Sequence, residues 1–545
     1  MFQDRRTKGK GSAILPPSTS LVREIHHMSS HDDLPVKPAR VIRNPDNTTL
    51  AELIGKMPNA RRTEFGNYNV ATKVTARSKT STYIVTDNPD AHSDQTISLE
   101  EGRRMARLQD DYIAGCEMLV IDGFIGNDPD FRTAARLIIE SANANIAAMQ
   151  KTLYFHDGED KDPAFKPEVT VIYTPNLKAE GFPRDRLITV DLKAGITRVF
   201  NSDYFGESKK GGLRMWNNIV HERGGLSMHA GCKVIPVGDK RKVGLIVGLS
   251  GTGKTTTTFT SQNGSQPVQD DFCALMPDGR IYATENGCFA KTFGLDPRFE
   301  PTIYKAVCQP DAYLENVSLD DQGKADFFDT SYTQNGRAVF AMSQVEGAGD
   351  ARQLGKADFL LILNSNETII PAVARLAPEL AALYFMLGET KGTSAGGAEE
   401  AGKSLRIPGT NPFFPLLHAQ QGNRFLELMR KVPMDVFLLN TGRVGGGEDQ
   451  EGSRKVKIPH SSAVVKGIAE GTITWEKDPD FGYDVATSVP GIDKDDEVLL
   501  RPHLLYAAQG RMEEYRAQVE RLGKERRAYL NSWPGLDVTI IKAAG

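Results

Sequence analysis

An α/β fold in two domains is predicted by three features of the sequence: short apolar runs alternating with amphipathic segments, a Gly-rich loop entered directly from one such run, and a soluble composition. Hydrophobic residues make up 39% of the chain and charged residues 25%, ordinary values for a globular protein. The 545 residues suffice for more than one core-bearing unit. Lys and Arg number 66 against 70 for Asp and Glu, a formal charge of −4. That balance argues against a nucleic-acid-binding surface but leaves room for a local cationic pocket. No apolar run reaches the ~20 residues that span a bilayer. The five cysteines are odd in number and lack C-x-x-C spacing, which points to free thiols in a reducing compartment and hence to a cytoplasmic protein.

Residues 1–45 read as a disordered extension, rich in basic residues, Pro and Ser and without the apolar stretch of a secretory signal. A first domain, 46–223, follows. Thr48 to Met57 is expected to be a short helix. Asn69 to Thr86 alternates as a strand would, Glu100 to Gly115 is helical, and Glu117 to Ile121 is a buried strand. Phe131 to Tyr154 carries helical periodicity. Val169 to Tyr173, Leu187 to Asp191 and Arg198 to Phe200 return to strand. The second domain, 224–545, opens with the apolar run Val243 to Val247 and has further strands at Phe359 to Leu363 and Val436 to Leu439. Between them, 388–403 is rich in Gly, Ala and charge, the composition of a mobile lid. Leu504 to Leu530 reads as one long amphipathic helix.

The run at Val243 leads straight into Gly248-Leu249-Ser250-Gly251-Thr252-Gly253-Lys254-Thr255-Thr256. This satisfies G-x-x-x-x-G-K-[ST], with a strand before it and a polar helix start after it. Glycines let the backbone wrap phosphate oxygens closely and turn its N–H groups inward. Lys254 would reach the β- and γ-phosphates, and the Thr255 hydroxyl would hold Mg²⁺. Downstream, Asp270-Asp271 follows an apolar approach, the place where such enzymes put a metal-binding carboxylate. The cradle announces a nucleotide, not a reaction.

Two further segments narrow the reading. Tyr204-Phe205-Gly206-Glu207-Ser208-Lys209-Lys210-Gly211 puts an aromatic residue beside paired lysines, and Ser227-Met228-His229 places one histidine shortly before the cradle strand. Read alone, these are a solvated charge pair and an ordinary buried histidine. In this order, followed by the cradle and Asp-Asp, they resemble the ATP-type phosphoenolpyruvate carboxykinases. Ala76-Arg77-Ser78, Glu285-Asn286-Gly287-Cys288-Phe289-Ala290-Lys291-Thr292, Leu314-Glu315-Asn316-Val317, Asn335-Gly336-Arg337, Leu439-Asn440-Thr441-Gly442 and Val489-Pro490-Gly491 extend the resemblance over roughly residues 65 to 535.

The resemblance implies a two-domain carboxykinase-like fold, with a substrate-side α/β domain and a P-loop domain of mixed sheet and helices. It implies that Lys210, His229 and Asp271 bind Mn²⁺, with Mg²⁺ at Thr255, and that ATP is the co-substrate. Arg77, Tyr204, Lys210 and Arg337 would bind substrate. Lys209, Lys210, Lys254 and Arg337 would be catalytic, and Lys291, Glu300, Arg337 and Lys455 would join the cradle in binding ATP. A lysine ligates metal only when neutral, so its pKa must fall from ~10.4, as burial and a nearby dication both require. The implied reaction converts oxaloacetate and ATP to phosphoenolpyruvate, CO₂ and ADP, the phosphoenolpyruvate-forming step of gluconeogenesis. Small molecules are the only partners expected, with no nucleic acid and no membrane, in a monomer or homo-oligomer. Departures from the family pattern occur at Thr75-Ala76-Arg77-Ser78-Lys79 and at Arg454-Lys455-Val456. They leave open a P-loop kinase of the same fold that acts on another acceptor without decarboxylation.

Overall fold

Two eight-stranded mixed sheets carry the molecule in the computed structural model, which describes residues 33–249, 251–260, 262–391 and 404–544. Residues 36–545 cluster as one unit. The first sheet runs in the order Arg40–Arg43, Glu117–Ile125, Thr133–Glu140, Val169–Thr174, Ile196–Phe200, Leu187–Asp191, Thr82–Val85, Thr96–Ile97. Its central strands are buried almost end to end, which explains why they read as continuous apolar runs rather than alternating ones. The helix Gly206–Glu222 packs against it.

The second sheet has three parallel strands at its centre, Lys240–Val247, Phe359–Asn364 and Asp435–Asn440. Antiparallel neighbours flank them: Ala230–Val237 and Gln266–Gln269 on one side, Val373–Leu376, Asp484–Ser488 and Thr474–Lys477 on the other. The expected boundary at 223/224 falls in the turn between Gly206–Glu222 and the strand Leu226–Met228. A five-stranded sheet draws on distant parts of the chain: Gly287–Lys291, Arg337–Ala341 and Tyr313–Glu315 are joined by Tyr68–Val70 and Ala60–Arg62.

Four expectations are corrected. Arg40–Arg43, assigned to the disordered extension, is a strand paired with Glu117–Ile125; residues 1–32 lie outside the described residues. Phe131 to Tyr154 is a strand, Thr133–Glu140, followed by a helix, Ala144–Leu153. The first half is buried on both faces, and periodicity cannot separate a doubly buried strand from a buried helix. Between Asn69 and Thr86 only the ends are strand, so Arg77 sits on an irregular stretch. The terminal helix is two, Pro502–Ala508 and Met512–Asn531, parted at Gly510, whose φ is +68°. The expected lid is described only at its root, the hairpin of Glu389–Lys391 and Ser404–Arg406; 392–403 lie outside the described residues.

Candidate active site

The three parallel strands of the second sheet end at one edge, where open α/β sheets place ligands. The loop after Lys240–Val247 occupies that edge and turns into the helix Lys254–Phe259. Gly251 and Gly253 hold φ of 88° and 86°, values at which a side chain would be strained. A Cβ on Gly248 would come within 2.4 Å of Thr252 Oγ1. The loop is braced from within: the Thr252 hydroxyl donates to the Leu249 carbonyl at 2.7 Å, and the Thr441 hydroxyl to the Thr252 carbonyl at 2.8 Å. Thr256 Oγ1 donates to Glu300 at 2.8 Å. Ser250 lies outside the described residues.

Asp271 is the electrostatic centre. Its side chain is 14% exposed, and four cationic or basic groups converge on it. Lys210 Nζ lies at 2.5 Å and Lys209 Nζ at 2.9 Å from Oδ2; His229 Nε2 lies at 2.7 Å and Lys254 Nζ at 3.1 Å from Oδ1. Burial alone would raise the Asp271 carboxyl, but these neighbours hold it well below the usual range. Burial pulls Lys210 down to about 8, with Lys209 beside it acting the same way. Lys209 behaves oppositely: burial would lower it, yet Asp271 and Glu285, the latter at 2.7 Å, raise it and keep it charged. The two adjacent lysines therefore divide: Lys209 is a permanent cation, whereas Lys210 gives up its proton more readily but is still largely charged at neutral pH.

A divalent cation fits these residues. No group of three His, Cys, Asp or Glu side chains able to hold a metal occurs among the described residues, so a further donor type is required. His229 Nδ1 lies 2.9 Å from the Thr410 carbonyl, which fixes the proton there and leaves the Nε2 lone pair facing Asp271. Burial, reinforced by Lys254, pushes the His229 pKa down to about 4, so the ring is neutral near pH 7. Two lone pairs at 2.7 Å are held together only by a proton or a metal, and Lys210, whose proton burial has loosened, supplies a third donor once deprotonated. Behind them the Asp270 carboxyl is raised by burial, a shift that Lys254 and Thr255 oppose.

Opposite the cradle lies a set of guanidinium and aromatic groups from distant segments. Arg337 is held by two hydrogen bonds to Asn335 Oδ1, at 3.1 and 2.8 Å, and sits 5.1 Å from the Phe289 ring centroid. Asn335 Nδ2 reaches the Tyr204 hydroxyl at 3.4 Å. Arg77 lies 5.9 Å from the Phe413 ring, which Lys210 approaches to 4.5 Å. Glu315, fully buried, accepts the Phe205 N–H at 2.9 Å, and burial lifts its pKa to about 8.

Cradle, Asp271 cluster and guanidinium groups enclose one cavity of about 450 Å³. Of the residues expected from sequence, Arg77, Tyr204, Lys210, His229, Leu249, Gly251, Gly253, Lys254, Thr255, Thr256, Asp271, Lys291, Glu300 and Arg337 line it. Lys209 lies buried behind Asp271. Lys455 and Thr252 line a neighbouring cavity of about 360 Å³ that shares Gly251, Gly253 and Thr256. Sequence reasoning missed Phe289, Phe413 and the wall residues Thr390, Leu405 and Ile407. Lone aromatics carry no sequence signal of this kind, although Phe289 lay within a quoted motif. The wall is held by a buried carboxylate: Glu389 accepts from Arg526 at 2.8 Å and from Arg406 at 3.1 Å. Burial would raise Glu389, but the two arginines outweigh it and hold the pKa at about 2.

Residues 39–495 match the family model described as phosphoenolpyruvate carboxykinase. Curated relatives span nearly the whole chain. A phosphoenolpyruvate carboxykinase (ATP) of Caldanaerobacter subterraneus subsp. tengcongensis is 29% identical over 503 residues, covering 89% of this chain and 93% of its own. One of Geobacillus kaustophilus is 29% identical over 520 residues, with 91% and 95% covered. One of Rhizobium rhizogenes is 30% identical over 393 residues, with 70% and 71% covered.

Proposed function

The chain belongs to the phosphoenolpyruvate carboxykinase family, and from that premise we propose that it converts oxaloacetate and ATP to phosphoenolpyruvate, CO₂ and ADP. The observation that carries the reading is the convergence of Lys209, Lys210, His229 and Lys254 on Asp271 within 3.1 Å. The three lysines among them supply the positive charge that a substrate dianion and a nucleoside triphosphate need when brought together. The cradle and Lys254 bind the phosphates of ATP. Arg77 and Arg337 bind the carboxylates of oxaloacetate, whose planar geometry the guanidinium fork matches. Tyr204 forms the edge of that subsite.

The bond between the carboxylate and its methylene carbon breaks, CO₂ leaves, and the electron pair settles on the enolate oxygen. Arg77 lies on the side where that charge gathers. The enolate oxygen then attacks the γ-phosphorus, and ADP departs. Lys209 stays protonated and offsets charge on the moving phosphoryl group, while Arg337 and Lys254 keep the reactants in line. Lys210, His229 and Asp271 would hold Mn²⁺ and Thr255 the Mg²⁺ carried with ATP, metals whose charge stabilises developing oxyanions. Glu300 steadies Thr256, and Lys291 and Lys455 extend the nucleotide side. We place this chemistry in the cytoplasm; no helix among the described residues is long and apolar enough to cross a membrane.

The test is phosphoenolpyruvate formation from oxaloacetate with ATP, and in parallel with GTP, in the presence of Mg²⁺ and Mn²⁺. Product with ATP alone is expected. Failure with both donors while ATP still binds would overturn the reading and return the site to an acceptor kinase.

A further inference from the structure

Beneath the carboxylate side of the cavity lies a buried pair that the reaction does not use directly. Glu207 is 1% exposed and sits in the first turn of Gly206–Glu222, the helix that carries Lys209 and Lys210. Its Oε1 accepts the N–H of Ser78 at 2.6 Å, which fixes the peptide that follows Arg77. Ser78 is gripped twice more: its hydroxyl accepts from Arg186 at 3.0 Å, and its carbonyl accepts from the Thr82 hydroxyl at 3.0 Å. Glu207 Oε2 has no hydrogen-bond partner, and Arg214 Nη1, in the same condition, lies 4.0 Å away. Arg214 is 5% exposed and one helical turn beyond Lys210. Its guanidinium lies 5.4 Å from the Phe413 ring that Arg77 approaches to 5.9 Å. Asp94 is the other carboxylate whose charge reaches it.

A buried carboxylate beside a subsite for carboxylates is a liability, because it repels the ligand and competes for its cations. The strand-free loop needs the Glu207 acceptor to hold Arg77 in place. The same charge, left unbalanced, would draw the Arg77 guanidinium to itself and away from substrate.

We propose that Glu207 and Arg214 are a positioning pair for Arg77, in which Glu207 ties the Arg77 loop to the lysine-bearing helix and Arg214 supplies the counter-charge that keeps Glu207 from drawing the Arg77 guanidinium toward itself. This rests on the assignment of Arg77 to the carboxylate subsite. Arg214 adjusts oxaloacetate affinity without touching substrate.

The experiment is a substitution cycle on the full chain, reading KM for oxaloacetate, KM for ATP and kcat separately. Arg214→Met is expected to raise the oxaloacetate KM about tenfold, the scale of one charge-assisted contact, and to leave the ATP KM within about twofold. Adding Glu207→Gln keeps the Ser78 acceptor and removes the competing charge, so the double variant should recover most of the loss. A merely structural role predicts that the oxaloacetate KM, the ATP KM and kcat are lost and recovered together. Arg214→Lys, which keeps the charge, should stay within about threefold of the parent and guards against a folding defect in the methionine variant. An unchanged oxaloacetate KM in Arg214→Met, or a raised one that Glu207→Gln does not restore, would overturn the proposal. Arg77→Ala with an unchanged oxaloacetate KM would instead overturn the subsite assignment beneath it.

Discussion

The two walls of the cavity are built in opposite ways. The phosphate wall comes from one stretch of sequence on the end of a buried strand, with an internal hydrogen bond from Thr252 to Leu249 and outside braces from Thr441 and Glu300. The carboxylate wall is assembled from pieces: Arg77 on an irregular loop, Tyr204 before a helix, Arg337 on a strand of another sheet, Phe413 far downstream. A contiguous site is fixed by local backbone geometry. A dispersed one depends on every element between its parts: the buried pair Glu207–Arg214 holds the Arg77 loop, and the largely buried pair Glu389–Arg526 holds the hairpin that completes the cavity.

The comparison breaks first at its strongest point. Lys254→Ala removes the cation that both the cradle and Asp271 hold, and should lower phosphoryl transfer by about 10³-fold, measured as steady-state product formation with the circular dichroism spectrum unchanged. Retained turnover would take the cradle out of the mechanism. Acid tests the dispersed wall. Glu389 is held at about 2 against an ordinary 4.5, so its folded pKa is depressed. It therefore contributes stability above pH ~4.5, and that contribution is lost as pH falls from there through about 2. Glu389→Gln should lose on the order of 3 kcal/mol at pH 7, and its deficit in urea unfolding should shrink as pH is lowered through that window. A deficit that stays constant with pH would remove the charge argument. Arg77→Ala should raise the oxaloacetate KM about thirtyfold, the range of a charge-assisted hydrogen bond, while ATP affinity measured by calorimetry stays within about twofold. Equal losses in both would mean that the two walls are not separable.

What could be read in the sequence follows the same division. The cradle was legible because its requirement is local: two glycines at positive φ, a lysine and a hydroxyl at fixed spacing. Asp271 was reached from its place behind the cradle, but Lys210 and His229 only through the ordered resemblance, since a lone histidine and a lysine pair look ordinary until Asp271 stands between them. Phe413 and Glu389 were not reached, because nothing near them in the chain shows that one faces the cavity and the other anchors its wall. The strand Thr133–Glu140 was read as helix for a related reason. Its burial on both faces comes from neighbours, not from its own pattern, and its two alanines favour helix, a propensity that pairing within the sheet overrides.

The anchorage of the cavity wall has a consequence for biosynthesis. Glu389 has one arginine partner 17 residues further on, Arg406, and a second 137 residues further on, Arg526. At ribosomal speeds of about 5–20 residues per second, the first emerges roughly 1 to 3 seconds after the carboxylate and the second roughly 7 to 27 seconds after it. The root of the wall is therefore half-neutralised while the C-terminal segment is still being made, and its final geometry waits for the helix Met512–Asn531.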